Sequence, residues 1–224
     1  MLVERSGILW LRKGYSERAL VTANIQVWPP KVTYTNLAGE KEDGAVIFIW
    51  TPTLAWKERP DGTVIESREN ARASFEGQKW DSPWDQMHLL HFAGQALWNY
   101  MCAPFYFTWP GFQVRELGPW KVEEGQEWTA VEVTFPEDVP THCPVQTFYF
   151  DQRGLLRRLD YDSEFVKAGS AAHFCLDYRP VEGVLWPMLR RAVKLPQGIV
   201  DGGPAAVMLN FHEVKVRFRG EEKL

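Results

Sequence analysis

The chain has 224 residues, 25 Lys+Arg against 29 Asp+Glu, a net charge of −4 and 11 tryptophans. That length suits one all-β domain spanning residues 1–224, with a core large enough to need no staples. Interspersed charges of mildly acidic balance exclude a nucleic-acid surface, which requires clustered Lys and Arg. No run of about 18 apolar residues is present, so no membrane span is expected.

The N-terminal stretch MLVERSGILWLRKGYSER has neither a long apolar run nor a small-residue cleavage site, so no secretion signal is expected. Cys102, Cys143 and Cys175 are far apart, odd in number and outside any CxxC or Cys/His zinc spacing. They read as buried, reduced thiols of a cytoplasmic protein.

In chain order, Ile8–Lys13 alternates and reads as a first strand, at an exposed edge unless residues precede it. Glu17–Trp28 places Ala19, Val21, Ala23, Ile25 and Val27 on one face and Leu20, Thr22, Asn24 and Gln26 on the other, the period of two of a half-buried strand. Pro29-Pro30 stops it, since proline cannot donate to a ladder. Val32–Leu37 follows, then the charged turn AGEKEDG (38–44), then Ala45–Trp50, apolar on both faces and so expected as a covered, central strand. Leu54–Arg59 and Thr63–Arg68 flank Pro60-Asp61-Gly62 and form an expected hairpin.

A single amphipathic helix is expected over about 84–102. Asp81-Ser82-Pro83 is its start signal. Met87, Leu90, His91, Gly94, Leu97, Trp98 and Met101 recur with a 3.6-residue period, against Asp85, Gln86, His88, Gln95 and Asn99 on the opposite face. Strands return at Phe112–Leu117, Glu127–Phe135, Val145–Phe150, Leu155–Tyr161, Ala171–Tyr178, Val184–Val193 and Ala205–Phe218. Turns fall at Glu123-Glu124-Gly125, Asp151-Gln152-Arg153-Gly154, Lys167-Ala168-Gly169, Glu182-Gly183 and Asp201-Gly202-Gly203. Regular spacing without strand–helix alternation argues an antiparallel meander rather than a doubly wound fold.

The segment VQTFYFDQRGLLRRLDYDSE (Val145–Glu164), with AAHFCLDYRPVEGVLWPMLRRAV (Ala171–Val193), resembles the lipoprotein-carrier family of LolA and LolB. There an FxFDxxGxLxxM hairpin precedes a Gly–Pro hairpin, matched here by Gly183 and Pro187. The chain is also similar to a group of bacterial proteins with motifs like WDxxHxxxFxGxALWNY and QxFYFDxxGLLRRxDY. The resemblance implies a mainly β fold: a strongly curved, incompletely closed antiparallel β-barrel with a helical plug on its concave side. It implies either a carrier or an enzyme, because the fold also serves an enzyme of violacein biosynthesis that shapes a reactive intermediate in its cavity. The N-terminal stretch shows no pattern of the signal peptide or lipobox cysteine of the secreted carriers, so a periplasmic lipoprotein shuttle is not expected.

Candidate catalytic groups are His91, which shares the helix stripe with Met87 and Trp98, and a C-terminal set of Asp160, His173 and Arg190. With Asp162–Ser170 as the connection, Asp160 comes within about one residue of His173 across the ladder. Such a pair, with the carboxylate fixing the imidazole tautomer, is a general base, and an arginine holds an anionic group. The competing reading is a cross-strand ion pair on the wet convex face. Met87, Trp98, Arg158, Trp186 and His212 are candidate ligand-binding residues. His88 and His91 have i, i+3 spacing but no HExxH context, so no metal is expected. No GxSxG or phosphate-cradling glycine run occurs, and no cofactor is expected. The first functional expectation is binding of a hydrophobic small molecule or acyl chain in the concave cavity. The alternatives are a cofactor-independent isomerase, cyclase or dehydratase using acid–base chemistry on an apolar intermediate, and a module that offers an open sheet edge to a partner.

Overall fold

A computed structural model describes residues 1–39, 45–122, 126–167, 169–195 and 204–217. The first half contributes β1 (Leu2–Ser6), α1 (Ile8–Arg12), β2 (Ala19–Gln26), β3 (Lys31–Thr35), β4 (Ile47–Trp50), β5 (Leu54–Glu58) and β6 (Val64–Glu69). A 3-10 turn (Ala71–Phe75), α2 (Gln86–Cys102) and a second 3-10 turn (Phe105–Thr108) follow. The second half contributes β7 (Gln113–Lys121), β8 (Glu127–Thr134), β9 (Val145–Phe150), β10 (Leu156–Asp162), β11 (Ser170–Val181), β12 (Val184–Lys194) and β13 (Val207–Glu213).

All thirteen strands form one antiparallel sheet, ordered β6-β5-β4-β3-β2-β1-β13-β12-β11-β10-β9-β8-β7. Each half of the chain is a meander, and the pairing of β1 with β13 joins the two. Among the described residues β6 and β7 each have one neighbour, so the barrel is left open. The sheet curls around α2. Trp50 on β4 packs against Gly94 and His91 of the helix, while Tyr161 on β10 and His173 on β11 meet its Tyr100. The fold is thus an incompletely closed, curved antiparallel barrel holding a helix.

Three expectations need correction. Ile8–Lys13 is not an edge strand; it is the short helix α1, and β1 before it lies between β2 and β13. The N-terminal N–H groups of α1 donate to the chain entering β13, Ile8 to the Ala205 carbonyl at 3.1 Å and Leu9 to that of Ala206 at 3.0 Å. The start signal of α2 is Asp85 rather than Asp81-Ser82-Pro83: its side chain accepts the His88 N–H at 2.9 Å. Finally, α2 has no wet face. Of its seventeen residues only Gln86 and Ala93 are not buried, because the segment between β8 and β9 covers the side away from the sheet. There Asn99 Nδ2 donates to the Pro140 carbonyl at 2.7 Å.

The predicted alternation of β2 holds over its first part: Ala19, Val21 and Ala23 are buried while Leu20, Thr22 and Asn24 are exposed. It fails toward the end, where Ile25 is half-buried and Val27, past the strand, is exposed. In β4, Phe48, Ile49 and Trp50 are all buried. The charged turn at 40–44 and the turns centred on 123–125, 168 and 201–203 lie outside the described residues.

Candidate functional site

The predicted Asp160–His173 pair does not form. Leu159, not Asp160, stands opposite His173, and Asp160 stands opposite Ala172. One residue of register puts a side chain on the other face of the sheet. Asp160 therefore points outward, where Arg158 Nε and Nη2 donate to it at 2.6 and 2.8 Å and the Tyr149 hydroxyl at 3.0 Å. Trp120, Tyr149 and Phe174 surround the Arg158 guanidinium with ring centroids 5.2–5.6 Å away. Arg158 and Asp160 are thus a covered ion pair within one strand, on the convex face, and not the wet cross-strand pair of the competing reading. His212 is exposed on β13. Met87 and Trp98 are fully buried core residues, and the Trp98 indole donates to the Val27 carbonyl at 3.1 Å.

His173 faces inward into a sealed polar cluster. Its ring lies edge-on to Tyr100 at 4.4 Å. The Tyr100 hydroxyl is 3.1 Å from that of Tyr161 and 3.4 Å from His142 Nε2. Burial drives the His142 pKa down to about 3 and that of His173 well below its usual value, with cationic neighbours acting in the same direction. Burial also raises the Tyr100 and Tyr161 hydroxyls and the Cys175 thiol. These groups are therefore neutral. Arg190 is the cation in their midst: Nη2 donates to the Tyr100 carbonyl at 2.6 Å and Nη1 to Cys175 Sγ at 3.2 Å.

His91 sits on the other side of α2, equally buried. The Trp50 indole N–H donates to its Nδ1 at 3.2 Å. The indole is donor-only, so a neutral His91 carries its proton on Nε2. Desolvation, then the charges of Arg72 and His88, lower its pKa to about 3. His91 and Gln95 line a cavity of about 310 Å3 beneath the β8–β9 segment, with Arg72, Glu137 and Asp138 at its rim. Among the described residues no group of three or more His, Cys, Asp or Glu is placed to hold a metal.

Directly beneath the helix little space remains. The gap between Phe92, Leu97 and the strands β1–β3 holds about 40 Å3. The larger apolar cavities lie at the end of the barrel, where the β11–β12 hairpin meets the chain leaving α2. One, of about 430 Å3, is lined by Phe105, Leu155, Tyr178, Trp186 and Arg190 among others. The second, of about 340 Å3, is lined by Ile25, Val27, Met101, Trp109 and Val214 and by Lys215 and Arg217. Phe105, Val184 and Trp186 belong to both, so the Phe105–Trp186 pair, 6.1 Å between centroids, forms their shared wall. Phe105 is 55% exposed, and Val27, Trp28 and Leu185 also show apolar surface at this mouth.

No protein-family model and no curated protein match the chain. Solved structures do. A LolA superfamily protein from Nitrosomonas europaea superimposes with a TM-score of 0.50 over 97% of this chain and 84% of that one, at 10% identity. The fold is LolA-like. A domain assigned to outer-membrane lipoprotein sorting from Vibrio parahaemolyticus is similar at a TM-score of 0.45 and 10% identity, covering 99% of this chain and 85% of its own. A DUF1329 family protein from Desulfovibrio piger is similar at 0.41 and 12%, covering 94% and 83%. Identities this low speak for the fold alone.

Within this LolA-like fold, two sequence-predicted residues, Trp186 and Arg190, meet at a cavity, and His91 lines a different one. Phe105 and Tyr178 were missed. Phe105 lies in an aromatic run, FYFTW, with no periodicity to show which ring faces out. His142 was missed too, because it lies between Pro140 and Pro144 in a segment with no element pattern. No helix among the described residues is long and apolar enough to cross a membrane.

Proposed function

We propose that the chain, acting as one domain, binds a hydrophobic small molecule or acyl chain at the barrel mouth, along the Phe105–Trp186 wall. The observation that carries this reading is the pair of cavities, about 430 and 340 Å3, that share that wall under an exposed apolar rim. Their size falls in the range of small-molecule sites, roughly 300–1,000 Å3. The expected concave site under the helix is displaced to the barrel end, since α2 fills the middle. A cytoplasmic setting belongs to the same reading, supported by three free, buried cysteines.

The test is binding of a neutral hydrophobic dye such as Nile red, together with native mass spectrometry of protein purified from cells. Trp186→Ala combined with Phe105→Ala removes the shared wall and is expected to weaken dye binding about tenfold or more, since each ring loses ~2 kcal/mol of apolar burial. Trp120→Ala, on the convex face, should leave binding unchanged. Absence of both dye binding and a retained apolar ligand would refute the reading.

A further inference from the structure

Arg190 is only 2% exposed, yet none of the ion pairs among the described residues includes it. Its hydrogen-bond partners are one backbone carbonyl and one thiol, and its Nε has none. Buried charges are ordinarily paired, because an unpaired one forfeits its hydration with no compensation. Two other buried arginines show how this protein meets that requirement. Arg158 has the Asp160 carboxylate at 2.6 Å. Arg5 donates to three backbone carbonyls, those of Ser16, Leu37 and Ala38. Arg190 has neither arrangement; beyond its two hydrogen bonds it has the face of the Tyr100 ring, 5.3 Å from the guanidinium carbon. The side chains packed around it supply no negative charge either, since burial keeps Tyr100, Cys175 and Tyr178 protonated.

Among the described residues, Arg190, Lys215 and Arg217 line the two cavities at the mouth and no Asp or Glu does. Lys215 is paired with Glu213 at 2.6 Å, which leaves Arg190 and Arg217 without a carboxylate among the described residues. This occurs in a chain whose acids outnumber its bases, 29 to 25. By contrast, the His91 cavity mixes Arg72 with Glu137 and Asp138. Trp186, which forms the apolar wall beside Arg190, also has a buried indole N–H without a partner.

We propose that the mouth takes an anionic amphiphile, a long-chain carboxylate, whose head group pairs with Arg190 and whose chain lies along the Phe105–Trp186 wall. This rests on the apolar-binding reading above and adds the charge of the ligand to it. A carboxylate suits a guanidinium that has donors to spare, because it can accept two parallel N–H bonds in the fork geometry. The chain then covers apolar surface that is otherwise wet.

Isothermal titration of the intact protein with dodecanoate, dodecanol and dodecylamine tests the inference. The acid is expected to bind at least tenfold more tightly than the alcohol, and the amine most weakly. In Arg190→Met the acid should lose that advantage, so that the ratio of acid to alcohol affinity falls to about one; circular dichroism and the melting temperature establish that the variant is folded. The comparison of the three ligands on the unaltered protein decides the question even if the variant does not fold. Equal affinity for acid and alcohol overturns the anionic inference and leaves the apolar reading standing. Failure of all three to bind overturns both. Acetate competing as well as dodecanoate does overturns the amphiphile, since the site would then hold an anion without its tail.

Discussion

Gly94 is where a single atom decides the packing of the helix. A Cβ built there would lie 2.4 Å from Trp50 Cγ and 2.6 Å from Trp50 Cβ. These atoms belong to a fully buried indole and cannot swing aside as the end of a flexible chain could. Gly94→Ala gains about 1 kcal/mol of helix propensity, but overpacking of this kind costs about 1–3 kcal/mol and more where the neighbour is rigid. A net loss of about 2 kcal/mol is expected in urea denaturation, with the Trp50–His91 hydrogen bond disturbed as well. Unchanged stability would mean that the helix can back away from β4. Sequence patterning placed Gly94 and His91 on the buried stripe but could not name Trp50, which lies 41 residues from His91. The same limit explains Asp160. Alternation assigned the faces of β10 and β11 separately, but the pairing between them depends on the turn at 163–169, and a slip of one residue exchanges the two faces. Arg158 and Asp160 consequently support each other on the outside, and His173 lies among Tyr100, Tyr161 and Arg190 on the inside.

Among the elements, α1 shows why short helices escape a sequence reading. Five residues, ILWLR, make little more than one turn, too short for a 3.6-residue period to stand out from alternation. Helices of that length are not stable on their own. This one is held by contacts distant in sequence: its first N–H groups bond to Ala205 and Ala206 across the sheet, and Leu9 and Trp10 are buried. Gly7 makes the approach possible. Its φ is +121°, and a Cβ there would lie 2.5 Å from the Ala206 carbonyl oxygen. Gly7→Ala should therefore push β1 and α1 away from the start of β13. About 2 kcal/mol of loss corresponds to a fall in melting temperature of roughly 4–8 °C in a chain of this size. A variant that melts with the parent protein would show that this contact is dispensable. The other helix was legible because seventeen residues give the period room to repeat. That its polar residues are buried as well was not legible, because the 135–144 segment that covers them has no pattern of its own.

At the scale of the whole molecule, the two meanders could be read from strand spacing, whereas their union through β1 and β13 could not, since those strands lie at opposite ends of the sequence. The closure they create encloses three histidines, and this makes the fold sensitive to acid. His91, His142 and His173 come from the helix, a covering segment and a strand respectively, and all three are 2% exposed or less. The charged or titratable groups acting on them are Arg72, Arg190 and one another, with His88 also acting on His91, and no carboxylate is among these causes. In the folded protein His91 and His142 take up protons only near pH 3, whereas an unfolded histidine does so at about 6.5. Between those values the unfolded chain binds more protons than the folded one. Stability is therefore complete above about pH 6.5 and falls as the pH drops. At pH 5 each of these two histidines removes about 2 kcal/mol, so together they approach the lower end of the whole stability of many domains, about 5–15 kcal/mol, and His173, shifted the same way, adds to the loss. The urea midpoint is expected to fall steeply between pH 7 and pH 5, and replacing His142 or His173 with Phe should flatten that slope. His173→Phe suits the comparison because its ring packs edge-on against Tyr100, as a phenyl ring would, and neither of its nitrogens has a hydrogen-bond partner to lose. A midpoint that holds steady from pH 7 to pH 5 would show that protonated histidines are accommodated, and the sealed polar cluster would then have to open to water without unfolding.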